Sequence, residues 1–80
     1  MDRSQILEGV TGVLDEHLSI RDVTESTHLF DDLRLDSIKQ LTFVVELENH
    51  FQVCFDEGDE TNIETIGDVV DVVARRLGEQ

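Results

Sequence analysis

Leu29-Phe30-Asp31-Asp32-Leu33-Arg34-Leu35-Asp36-Ser37-Ile38 is the stretch on which the reading of this chain turns. An acidic, apolar turn ends in Asp36, and an amphipathic run follows at once. Asp36 suits a helix N-cap, because its carboxylate can accept from the free amides of the first turn. Ser37 then occupies the first helical position with its hydroxyl toward solvent. A phosphate ester there would meet the positive end of the helix dipole, where an anion gains about 0.3–1 kcal/mol. That makes Ser37 a candidate attachment point for a phosphodiester. An Asp-Ser pair ahead of an apolar run is also an ordinary helix cap, so the surrounding chain must decide.

Downstream, the spacing predicts a helix from Ser37 to about Phe51 with two apolar stripes. Phe43, Leu47 and Phe51 recur at steps of four and form the expected core face. Ile38, Leu41 and Val45 lie on a neighbouring face that adjoins Ser37. A small domain cannot readily bury both stripes. The second stripe is either the edge of one wide core face or a docking surface. In the docking reading the candidate contacts are Ile38, Lys39, Leu41, Thr42, Val45 and Glu48.

Upstream, Ile6, Val10, Val13 and Leu14 follow helical spacing and predict a first helix from about Arg3 to Leu18, slightly weakened by Gly9 and Gly12. The long connection after it should be ordered by Val23, Leu29 and Leu33. Beyond Phe51, Gln52-Val53-Cys54-Phe55 alternates too briefly for a sheet and reads as an extended connector, with Cys54 as a small, partly buried side chain. A short helical turn is expected over Asp59 to Asn62. Thr65 and Asp68 have capping-box spacing, opening a final helix from about Ile66 to Leu77 whose Arg75 and Arg76 suit the C-terminal end of the dipole.

The chain of 80 residues carries 19 acidic and 6 basic residues, a net charge of -13, and 39% apolar residues. Length and patterning predict one domain over residues 1–80 with a thin core and no room for a deep catalytic pocket. The charge repels phosphate backbones and anionic lipid, so neither nucleic acid nor membrane is an expected partner. The first residues lack a signal-peptide pattern, and a cytoplasmic, monomeric protein is expected. His17, His28 and His50 share no ligand spacing with the single cysteine, so no metal site is expected. Asp56 to Asn62 resembles a calcium loop only loosely, since Thr61 stands where the turn needs glycine and Gly67 where the bidentate glutamate belongs. Ser37 has no base or oxyanion donor at a recognisable offset, so no catalytic residue is assigned.

The order of these features resembles the acyl carrier protein family: first helix, long anchored loop, Asp-Leu-x-Leu-Asp-Ser-Ile, second helix, short third helix and capped final helix. The resemblance implies an all-α fold, a small four-helix bundle of three main helices and one short one, with a long loop between the first and second. It implies that Ser37 receives 4'-phosphopantetheine from coenzyme A through a phosphopantetheinyl transferase. It also implies that Asp36 helps to engage that transferase, and that the arm carries cargo as a thioester without turnover by the protein itself. Further partners implied are an acyl- or aminoacyl-loading enzyme and ketosynthase, condensation or tailoring enzymes.

Several residues depart from the pattern of fatty-acid carriers. Arg34 stands where glycine is frequent, the connector around Phe55-Asp56-Glu57 lacks proline, and Lys39, Thr42 and Asn49 occupy positions that are often acidic. These departures favour a specialised carrier in a polyketide, specialised fatty-acid or other secondary-metabolite pathway. An aminoacyl carrier, of D-alanyl or peptidyl type, is the alternative. A reading from another class is an acidic helical adaptor without a prosthetic group.

Overall fold

Capping and apolar spacing place the helices in the computed structural model, which describes residues 2–78. They are α1 (Arg3–Leu18), α2 (Ser37–Phe51), α3 (Glu57–Asn62) and α4 (Ile66–Gly78). Asp2 caps α1 through a reciprocal box with Gln5, and left-handed Ser19 and Gln52 end α1 and α2. The expected box at α4 forms as well. The Asp68 amide donates to Thr65 Oγ1 at 3.2 Å, and Asp68 Oδ2 accepts from the Glu64 and Thr65 amides at 3.0 and 3.1 Å. These amide bonds outweigh partial burial and hold the Asp68 carboxyl below the usual carboxylate range.

The all-α, four-helix fold is as the sequence predicts, and α1 and α2 have the expected bounds. The third helix begins earlier than expected. Asp56 supplies its cap by accepting from the Asp59 amide at 2.8 Å, and Asp59 Oδ2 accepts in return from the Asp56 amide at 3.3 Å. A six-residue helix has no stability of its own. Its anchors are tertiary: Ile63 is buried just past its end, and Asp59 is buried beneath Arg75 and Arg76 of α4. The two arginines therefore fasten α3 to α4 besides facing the dipole.

One core unites the helices. Ile6, Val10, Val13 and Leu14 meet Phe43, Val44, Leu47 and Phe51 from α2, and Ile66, Val69, Val70 and Val73 from α4. In the long connection Leu29 and Leu35 are the deepest anchors, while Val23 and Leu33 pack partly buried against the core. Burial of a leucine contributes about 1.5–3 kcal/mol, which offsets part of the cost of ordering the loop. Thr27 to Leu29 is also laced to the α3–α4 junction: the Leu29 amide donates to the Glu64 carbonyl at 2.8 Å and the Ile66 amide to the Thr27 carbonyl at 3.0 Å.

The connector after α2 buries Val53 and Phe55, but Cys54 is exposed, against the expectation of a partly buried side chain. The reason is alternation. In an extended segment whose odd positions face the core, the intervening residue points to solvent.

Candidate functional site

The turn before α2 sets the position of Ser37. The His28 amide donates to Asp32 Oδ2 at 2.7 Å. Amides of Asp32 and Leu33 return to the His28 carbonyl, and the Leu35 amide reaches the Leu29 carbonyl at 3.0 Å. Closure of this turn puts Arg34 in the left-handed region, φ 57°. Leu29 and Leu35 then plug into the core on either side.

Asp36 is extended (φ -78°, ψ 179°) and its Oδ1 accepts from the Lys39 amide at 2.9 Å, while its carbonyl accepts from the Gln40 amide at 2.8 Å. Among the described residues the Ser37 and Ile38 amides have no protein acceptor and remain available to an anion at the helix start. Ser37 is exposed. Beside it a cleft of about 280 Å³ opens between α2 and α3, lined by Ser37, Gln40, Leu41, Val44 and Glu60. Gln40 Nε2 donates to the Glu60 carbonyl at 3.2 Å and ties one wall to the other.

The two stripes of α2 separate cleanly. Phe43, Leu47 and Phe51 are buried together with Val44, whereas Ile38, Leu41 and Val45 are 78%, 56% and 42% exposed. Lys39 and Thr42 are exposed on the same helix, with Thr42 Oγ1 bonded back to the Ile38 carbonyl at 3.1 Å. Glu48 is placed differently from these. It is half-buried, and its Oε2 accepts from the Phe55 amide at 2.9 Å, so this carboxylate fastens the connector to α2. Gln40, Val44 and Glu60 of the cleft were not singled out from sequence. Val44 could have been, since Val44 and Leu47 lie three apart; nothing local points to Glu60, which reaches the cleft only through the packing of α3.

The phosphopantetheine attachment site family matches residues 4–73, a span that includes Asp36, Ser37 and the whole cleft. The chain belongs to the acyl carrier protein family. It is 35% identical to an acyl carrier protein of Thermotoga maritima, over 95% of this chain and 96% of that one. It is 30% identical to the polyketide-8 synthase acyl carrier protein 2 of Streptomyces avermitilis, over 99% of this chain and 88% of that one. The solved structure of the acyl carrier protein from Enterococcus faecalis is similar with a TM-score of 0.76 at 35% identity, covering 95% of this chain and 99% of that one.

Members of this family are non-catalytic carriers, and their prosthetic group is 4'-phosphopantetheine. The residues present fit that group: an exposed hydroxyl, two free amides at a helix start and an apolar cleft alongside. When bound, the group supplies a thiol that holds cargo as a thioester. The chain's own part is positional. Asp36 holds the first turn in place, and the Ser37 and Ile38 amides favour a phosphodiester. Leu41 offers exposed apolar surface from which water is readily displaced, with Val44 behind it at the base of the cleft.

Proposed function

We propose that Ser37 is the attachment residue and that the protein carries acyl intermediates for a specialised pathway of polyketide type. The observation that carries the site is the exposed Ser37 hydroxyl at the capped start of α2, beside the cleft and within the matched family span. In this reading Asp36 serves the transferase as well as the helix. Ile38, Lys39, Leu41, Thr42 and Val45 meet partner enzymes, with Glu48 contributing from its half-buried position. Support for the specialised context comes from Lys39, Thr42 and Asn49, which place one cation and two neutral side chains on a helix face that enzymes with basic patches would otherwise find acidic. The likeness to a polyketide synthase carrier points the same way.

The test is intact mass after incubation with coenzyme A and a broad-specificity phosphopantetheinyl transferase. One phosphopantetheine should be added to the parent and none to Ser37→Ala, which keeps its helical spectrum because an exposed hydroxyl contributes little packing. Addition at Ser4 or Thr42 would overturn the site. Mass spectrometry of the native loaded protein then reads the cargo, an acyl or an aminoacyl group.

A further inference from the structure

The six basic residues of this chain divide into two groups. Arg3 pairs with Glu25 and with Asp71, Arg21 with Asp15, Arg75 with Asp59, and Arg76 with Asp56 and Asp59. Arg34 and Lys39 are exposed, and among the described residues neither side chain has an ion-pair or hydrogen-bond partner. With 19 acidic residues available, two unmatched cations would be unremarkable if scattered. They are not scattered: they bracket Ser37 in the chain. Two of the neighbouring acids are engaged elsewhere: Asp36 accepts from the Lys39 amide and Asp32 from the His28 amide, while Asp31 stays exposed, 3.6 Å from the His28 ring.

Apolar ground lies on the same stretch. Phe30 is 62% exposed four residues before Arg34, and on α2 the exposed Ile38 lies between Lys39 and the exposed Leu41 round the helix. An apolar centre rimmed by charge is the usual composition of a contact face. Two cations within a field of -13 are too few to hold nucleic acid or anionic lipid.

We propose that Phe30, Arg34, Ile38, Lys39 and Leu41 form a contact face for a partner enzyme whose arm entrance sets carboxylates around an apolar patch. The proposal rests on the carrier reading, and its polarity is opposite to that of a carrier read through an acidic helix. The pairing acts at short range. At physiological ionic strength the Debye length is about 8 Å, so the acidic remainder of the carrier is largely screened while charges in contact are not. The effect therefore falls on the dissociation constant more than on long-range steering.

The probes are a fatty-acid ketosynthase with a basic entrance and the same enzyme with its entrance lysines and arginines replaced by glutamate. Each is first shown to turn over acyl-pantetheine, which establishes that it is folded. Dissociation constants for both are measured at physiological salt with the phosphopantetheine-loaded parent, with Arg34→Gln/Lys39→Gln, and with Arg21→Glu. Both variants lower the net charge by two, but Arg21 lies outside the proposed face. The double variant should shift the preference between the two enzymes about tenfold toward the basic entrance, and Arg21→Glu no more than about twofold. A shift in the double variant no larger than that of Arg21→Glu overturns the contact face while leaving the carrier reading intact. Failure of Ser37 to take up the group, seen beforehand by intact mass, overturns the carrier reading and this face with it.

Discussion

The ring of Phe51 occupies the space where a side chain at Gly9 would stand. A Cβ built on Gly9 would lie 2.5 Å from Phe51 Cζ, 3.0 Å from Cε1 and 3.2 Å from His50 Nε2. The ring cannot easily give way, because Phe51 is buried and its edge packs against the His50 ring at 4.8 Å. Gly12, one turn later on the same helix, meets nothing within 4 Å. The two glycines should therefore respond oppositely to alanine. Gly12→Ala should gain about 0.5–1 kcal/mol from helix propensity, and Gly9→Ala should lose about 1–3 kcal/mol from overpacking the α1–α2 contact. Denaturant midpoints measure both, and a gain at Gly9 would show that α2 can shift away freely.

Arg34 adopts φ 57°, a region that costs a residue with a Cβ about 1–2 kcal/mol. Glycine would remove that strain but add freedom to the unfolded chain, for a net gain of about 0.5–1 kcal/mol in Arg34→Gly and a melting temperature a few degrees higher. Arg34→Asn should gain less, and Arg34→Ala nearly nothing. Equal effects from glycine and alanine would show that the left-handed backbone at Arg34 carries no cost that glycine relieves.

Cys54 points to solvent between buried Val53 and Phe55. Iodoacetamide should alkylate it in the folded, unloaded protein at a rate near that of a free thiol, with a melting temperature changed by no more than about 2 °C. Slow labelling that quickens only in denaturant would mean that the connector protects the thiol.

Much of this architecture is written in local pattern. Apolar residues at steps of three and four mark α1, α2 and α4, and Asp36 and Thr65 mark where α2 and α4 begin, because caps and amphipathic faces depend on residues within one turn of each other. Asp36 and Ser37 are legible for the same reason. The separation of the two α2 stripes into buried and exposed faces also follows from spacing, once one stripe has filled the small core. What spacing does not carry is contact between distant segments. Arg76 meets Asp59 across 17 positions, and Glu60 closes a cleft on a helix too short to show a period. The exposure of Cys54 is not legible locally either, because a short alternating segment has two faces, and the pattern does not say which one meets the core.

Asp59 supplies the pH-sensitive link between α3 and α4. Burial opposes its charge, but the hydrogen bond from Arg76, the Asp56 amide and the charges of Arg76 and Arg75 outweigh it and hold the carboxyl below the usual carboxylate range. A carboxyl whose pKa is lower folded than unfolded stabilises the fold fully above the unfolded value, near 3.9, and that contribution is lost as pH falls through the folded value. Asp59→Asn keeps the shape and removes the charge, so it should cost about 1.5–3 kcal/mol at neutral pH. The gap in melting temperature between parent and variant should stay level from about pH 5 to 8 and narrow below about pH 4. Using the gap cancels the general relief of repulsion that both proteins feel as their other carboxylates protonate. A gap that persists undiminished to about pH 2.5 would show that folding does not hold this carboxyl below its unfolded value, and that the variant loses stability through an amide NH2 set against Arg75 and Arg76.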